Sequence, residues 1–202
     1  MKRVLIACEF SGVVRRAFRE RGFDAWSCDI DAAADNSPYH YQCDVREILD
    51  DGWDLMIAHP PCTYIANSGV SRLHQDKGRW KHLAESISLF NTLLNADIPR
   101  ICVENPIPHK YAVEDIGNYD QIIHPHMFGH KEQKATCLWL KGLPLLQITN
   151  DVKQQTMILP IPERQRVYWL GSGKGKERSV TYEGIADAMA KQWGDLVLQR
   201  WV

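Results

Sequence analysis

Apolar positions at the start of the chain come in short solid blocks. Val4-Leu5-Ile6-Ala7-Cys8 is one such block and reads as a strand buried on both faces. Glu9-Phe10-Ser11-Gly12 then forms a small-residue turn. From Val13 to Arg21 the spacing turns helical, with Val13, Val14, Ala17 and Phe18 on one side and arginines on the other. Gly22 ends that helix. Phe23 to Cys28 predicts a second strand, closed by Asp29-Ile30-Asp31, and a short segment, Tyr41-Gln42-Cys43, leads into Asp44. Asp54 to Ala58 is a further strand that runs into His59-Pro60-Pro61-Cys62.

The alternation continues downstream. His82 to Asn95 carries Leu83, Ile87, Phe90 and Leu94 at helical spacing, and Arg100 to Val103 predicts the strand entering Glu104-Asn105-Pro106. Thr136 to Leu140 and Arg166 to Leu170 read as strands, and Tyr182 to Trp193 as a closing helix with Ile185, Met189 and Trp193 inward. Trp139, Trp169 and Trp193 are expected in the core. The sum is an α/β fold: a Rossmann-like, doubly wound, mostly parallel sheet in a single domain, without internal repeats.

Composition narrows this only at the margins. With 202 residues and a net charge of −1, the chain is no global polycation, which disfavours tight non-specific nucleic-acid binding but leaves room for a local basic groove. Six cysteines lie scattered without paired spacing. Cys8, Cys28, Cys102 and Cys137 sit in or beside apolar runs, as small core residues do. No apolar run approaches the roughly 20 residues of a spanning helix, and Met1 to Ala7 lacks a long apolar leader segment. The expectation is a soluble, reduced, cytoplasmic protein with no membrane partner.

Two strand ends carry the candidate chemistry. Each proline after Ala58 fixes φ and removes a donor, so Cys62 stands on a stiff exit loop with few rotational states to lose, as suits a nucleophile. Forty-two positions later Glu104 occupies the equivalent end of another strand, so a shared site is expected at one edge of the sheet. To react, the thiol should be partly ionised by nearby cations, whereas Glu104 should be held protonated by burial when it donates. The turn Glu9 to Gly12 lets backbone N–H groups approach a ligand, and Asp29 can accept from ribose hydroxyls. The full G-x-G-x-x-G fingerprint is missing, which argues against a pyrophosphate and tolerates a nucleoside. The histidines of His124-Pro125-His126-Met127-Phe128-Gly129-His130, with Cys137, lack a zinc spacing, so a solvated loop and no metal is expected. The run Arg164, Arg166, Lys174, Lys176, Arg178 is interrupted by Glu163 and Glu177: a solvated face, or a phosphate-contact strip if the substrate is a nucleic acid.

Taken in order, these segments resemble the cytosine-C5 DNA methyltransferases, most closely their short phage and prophage members. Glu9-Phe10-Ser11-Gly12 matches the first methyl-donor loop, Asp29 the ribose ligand, and Asp44 the acidic residue near the adenine. Pro60-Pro61-Cys62 matches the Pro-Cys nucleophile loop, and Val103-Glu104-Asn105 the Glu-Asn motif. Arg178-Ser179-Val180 is similar to the segment that completes the donor pocket. The resemblance implies a class I methyltransferase fold using S-adenosylmethionine, with DNA as partner. Cys62 would add to C6 of cytosine, Glu104 would act at N3, and the base would be flipped from its stack. Glu9, Phe10, Ser11, Gly12, Asp29, Asp44, Pro60, Ser179 and Val180 would line the cofactor site. Asn105, Lys134, Thr136 and Arg164 would face the substrate.

The sequence also departs from that pattern. The family's arginine motif aligns with Lys134-Ala135-Thr136-Cys137-Leu138, which has no arginine. Arg164-Gln165-Arg166 looks like it but lies later, so Arg166 would be the catalytic arginine if the loops are rearranged. Pro106 stands where Glu-Asn-Val would end. The expected division is a catalytic part, 1–144 with 177–202, and a reduced recognition insert, 145–176, of about thirty residues. Readout of bases needs several side chains, so specificity is short, absent, or supplied by a protein partner or a second copy. The competing readings are a degenerate fold kept for nucleic-acid binding or regulation, and a thiol-dependent modifier of pyrimidine nucleotides, although Thr63 follows Cys62 where that latter family has histidine.

Overall fold

The computed structural model describes residues 1–171 and 173–199. Seven strands form one sheet: β1 (Arg3–Ala7), β2 (Asp24–Asp29), β3 (His40–Gln42), β4 (Leu55–Ala58), β5 (Ile101–Pro106), β6 (Gln121–Ile123) and β7 (Thr136–Lys141). Their order is β3-β2-β1-β4-β5-β7-β6. β1 to β5 are parallel, and β7 runs antiparallel to both its neighbours. This is the expected doubly wound, mostly parallel sheet in a single domain, with its order reversing between β1 and β4.

The solid apolar blocks are explained by burial on both faces. Leu5, Ala7, Met56, Ala58, Ile101 and Val103 point to one layer, and Val4, Ile6, Leu55, Ile57 and Cys102 to the other. The first layer is covered by α3 (Gly78–Leu94), through Leu83, Phe90 and Leu93, and by α4 (Lys110–Ile116). The second is covered by α1 (Val13–Glu20) and α9 (Glu183–Leu198), which meet through Val14, Phe18, Ile185, Met189 and Trp193. Gly184 lets the start of α9 pack hard against the turn at 125–128, since a Cβ there would run into the Phe128 carbonyl oxygen. Trp139 and Trp193 are core residues, at 2% and 0% exposed.

Shorter helices complete the chain: α2 (Val70–Leu73), α5 (Lys153–Met157), α6 (Ile161–Arg164), α7 (Arg166–Trp169) and α8 (Gly175–Ser179). The α7 segment corrects the expectation of a strand at 166–170, and Trp169, expected in the core, is 59% exposed. Val-Tyr-Trp favours strands only where a pleated, half-buried surface receives it. Here the segment pairs with no strand, the described sheet ending at β6 on one side and β3 on the other. No helix among the described residues is long and apolar enough to cross a membrane.

Candidate active site at the carboxyl edge of the sheet

Strand register assembles the site. Ala7 pairs with Cys28 and Ala58, and Ala58 pairs with Val103. The next residue of each parallel strand is therefore Cys8, Asp29, His59 and Glu104, side by side along one edge. Asp29 pairs with Gln42 on β3, which brings Asp44 just beyond. β7 enters from the opposite direction, its Thr136 opposite Pro106, so Lys134 reaches the same edge.

The Cys62 loop is tied to the segment that carries Glu104. Asn105, 1% exposed, donates through Nδ2 to the Pro60 carbonyl at 2.9 Å. Asn67 N–H donates to the Ile107 carbonyl at 2.9 Å, and His109 N–H to the Ile65 carbonyl at 3.0 Å. A tight turn, Ala66 N–H to the Cys62 carbonyl at 2.9 Å, leaves the cysteine half-buried. Its thiol is pushed above the ordinary range, by burial first and by the Glu104 charge second, against the pull of Lys134 and Arg178. The cations expected beside the thiol are present and act in the expected sense, but burial and the Glu104 charge outweigh them, so the resting group is a thiol.

Glu104 departs in the other direction. Burial would raise its carboxyl, but a 3.0 Å contact with His59 Nδ1, the His59 charge and Lys134 together hold it below the ordinary range. The resting group is a carboxylate, not the protonated acid expected from burial alone. Glu104 and His59 side chains are 18% and 9% exposed.

At the β1–β2 end, the Glu9 carboxylate turns inward. It accepts from Val14 N–H at 2.7 Å, Arg15 N–H at 3.3 Å and Ser11 Oγ–H at 3.3 Å, capping α1. Gly12 has φ +70°, and a Cβ there would lie 2.3 Å from Arg15 Nη2. Arg15, 1% exposed, bonds Ser27 Oγ at 2.9 Å and pairs with Asp35. That pair fills the space beside the turn, as the missing second glycine suggests. Burial, then Asp29 and Asp44, push the Cys8 thiol up to about 12, which places both carboxylates around β1's end. Asp29 accepts from Asp31 N–H at 2.9 Å, and Asp44 is held at about 2 by Arg46.

α8 lies across both halves. Lys176 Nζ pairs with Asp31 at 2.8 Å and stands 5.4 Å over the Phe10 ring, while Lys134 Nζ donates to the Arg178 carbonyl at 3.0 Å. Ser179 and Val180 follow directly. The chemistry of this edge, an acid beside the backbone of a small-residue turn, suits a nucleoside. The filled cradle beside Gly12 does not suit a pyrophosphate.

The Arg164-Gln165-Arg166 segment does come back beside the entry to β7. Gln133 N–H donates to the Arg164 carbonyl at 2.6 Å, Gln165 Nε2 to Gln133 Oε1 at 3.3 Å, and Arg166 Nε to Glu132 Oε1 at 3.0 Å. The same Glu132 accepts from Tyr182 OH at 2.7 Å. Arg164 Nη1 donates to the Met157 carbonyl at 2.8 Å. Of the histidines, His130 Nε2 accepts from Gly184 N–H at 2.9 Å and caps α9, and His124 stacks on His126. Two site residues escaped the sequence reading. Arg178 acts on the Cys62 thiol rather than only on a phosphate or the donor pocket, and His59 meets Glu104 through strand register.

No family model matches the chain, and no curated protein matches it in sequence. Solved structures do match in fold. The Entamoeba histolytica methyltransferase EhMeth aligns over 75% of this chain and 57% of its own length, with TM-score 0.51 and 17% identity. A DNA modification methyltransferase encoded within an E. coli prophage aligns over 69% and 46%, with TM-score 0.47 and 17% identity. The S. pombe Dnmt2 methyltransferase aligns over 79% and 56%, with TM-score 0.46 and 16% identity. The chain thus spans about half the length of the structures it resembles, and shares with EhMeth a Rossmann-like methyltransferase fold.

Proposed function

We propose that this chain transfers a methyl group from S-adenosylmethionine to C5 of cytosine in DNA. One observation carries the reading: the Cys62 loop and Glu104 stand at neighbouring strand ends, with the Glu104 charge acting on the thiol and Lys134 acting on both. Cytosine C5 is a weak nucleophile. The Cys62 thiol gives up its proton to solvent as its sulfur adds to C6, which pushes electron density onto C5, and Glu104 stabilises the resulting enamine through N3. The cofactor, when bound, supplies an electrophilic methyl group. Loss of the C5 proton to solvent and expulsion of the Cys62 sulfur, which regains its proton from solvent, then restore the aromatic ring.

Asp29 would hold the ribose hydroxyls, with Asp44 toward the adenine, and Glu9 would fix the Phe10-Ser11-Gly12 backbone by capping α1 behind it. Pro60, Ser179 and Val180 would close the pocket. Asn105 braces the Cys62 loop. Lys134, Thr136, Arg164 and Arg166 would meet the flipped nucleotide and its phosphates, Lys134 taking the place of the missing motif arginine. The segment 145–176 is the reduced recognition region, completed by a protein partner or a second copy.

The test is covalent trapping. DNA containing 5-fluorocytosine should form a stable adduct with the chain in the presence of S-adenosylmethionine. Cys62→Ala should lose both adduct and methyl transfer, at least about 10³-fold, while cofactor affinity by calorimetry is unchanged. Full activity in Cys62→Ala would overturn the assignment.

A further inference from the structure

We infer that His59 is a positioning residue that supplies, through Glu104, the proton presented to cytosine N3. The inference rests on the methyltransferase reading and deepens it. His59 follows Ala58, the last residue of β4, and its backbone N–H is held by the Ala7 carbonyl at 2.9 Å. The ring therefore leaves the sheet beside Glu104, with Nδ1 3.0 Å from Oε2. The other nitrogen, Nε2, is buried with no hydrogen-bond partner among the described residues. A buried polar atom left unpaired is costly. Among the described residues, the one hydrogen-bond contact of the ring is therefore that of Nδ1 with the carboxylate.

A resting Glu104 carboxylate has no proton to give, yet the enamine needs one at N3. The pair resolves this. As the Cys62 sulfur bonds to C6, its thiol proton passes to solvent, and a protonated His59 ring gives its Nδ1 proton to Glu104 Oε2, leaving neutral imidazole. The carboxyl turns about its Cγ–Cδ bond and gives that proton to N3, returning to carboxylate. After methyl transfer the C5 proton passes to solvent, the sulfur leaves C6 and regains a proton from solvent, and both transfers within the pair reverse, so the pair ends as it began. The charged and titratable groups around it are Glu9 at the end of β1, Lys134 before β7, Cys62 on the loop after β4, and Cys102 and Cys137 beneath Glu104.

The experiment compares wild type, His59→Asn and His59→Ala on 5-fluorocytosine DNA. Asparagine keeps an N–H donor toward Glu104 but carries no transferable proton. Adduct formation at saturating DNA should slow by about 10²-fold or more in His59→Asn, with DNA and cofactor affinities unchanged. Imidazole in the buffer should partly restore His59→Ala. In ¹³C NMR of the free protein, the Glu104 carboxyl should titrate at higher pH in His59→Asn than in wild type. A wild-type adduct matched in rate by His59→Asn overturns this proposal alone. A slow His59→Asn whose Glu104 titration has not moved also overturns it, as a structural effect. If wild type forms no adduct, the cytosine reading falls and takes the proposal with it.

Discussion

The carboxyl edge of the sheet and the stretch from α5 to α8 are built on opposite principles. At the edge, each chemical side chain follows a strand whose residues are sealed on both faces, and backbone bonds fix its departure angle. Among the described residues of α5 to α8 the only buried one is Thr156, while Ile158, Ile161, Tyr168 and Trp169 stand more than half exposed. That stretch is held by polar contacts such as Arg166 with Glu132 and Lys134 with Arg178. Chemistry at the edge is thus fixed by packing, whereas contacts of the insert can vary without disturbing the core. Breaking each region should therefore fail in a different way.

The sharpest case is Glu104→Gln. Methyl transfer should fall by about 10²- to 10⁴-fold, the range for a lost acid–base group. The thiol should respond in the opposite sense. Glu104 raises the Cys62 pKa, so removing its charge lowers that pKa and increases the thiolate fraction at any pH below it. Iodoacetamide should therefore label Cys62 faster in Glu104→Gln at pH 8, and in wild type labelling should climb steadily on the alkaline side. Slower labelling in the variant would mean that the two groups do not face each other.

Next in size is Trp193→Ala. The ring is fully buried between α9 and α1, and its Nε1–H donates to the Pro144 carbonyl at 3.0 Å. Its removal should destabilise the fold by about 3–5 kcal/mol, read from urea denaturation. Gly12→Ala should cost less, about 1–3 kcal/mol, from a forced left-handed backbone and displacement of Arg15. It should also weaken S-adenosylmethionine binding if the turn lines the donor pocket. Destabilisation without any change in cofactor affinity would remove Gly12 from that role.

The same contrast explains what the sequence made legible. Strands with two apolar faces leave solid blocks such as Leu55-Met56-Ile57-Ala58, and both Cys62 and Glu104 could be found by counting from their ends. The protonation states could not be read that way. They depend on His59 and Lys134, which register and an antiparallel strand bring from distant positions. The strand expected at 166–170 failed because β propensity there met no neighbouring strand. The return of Arg166 to Glu132 has no local signal at all, being a contact between two loops.

The smallest effect on stability, and the most telling about the insert, is expected for Trp169→Ala. Its ring is 59% exposed and packs edge-on against Tyr168, itself 75% exposed. Truncation should change folding stability by no more than about 0.5 kcal/mol. If 145–176 is the recognition region, an exposed ring there offers a stacking face to an unpaired base, worth about 1–3 kcal/mol. DNA affinity should then drop about fivefold or more, while the rate of adduct formation at saturating DNA stays at the wild-type value, because Cys62 and Glu104 are held by other elements. A loss of saturated rate, or a fold that melts as Trp193→Ala does, would erase the distinction between a packed edge and a contact surface. An unchanged affinity would move the recognition role elsewhere on the chain.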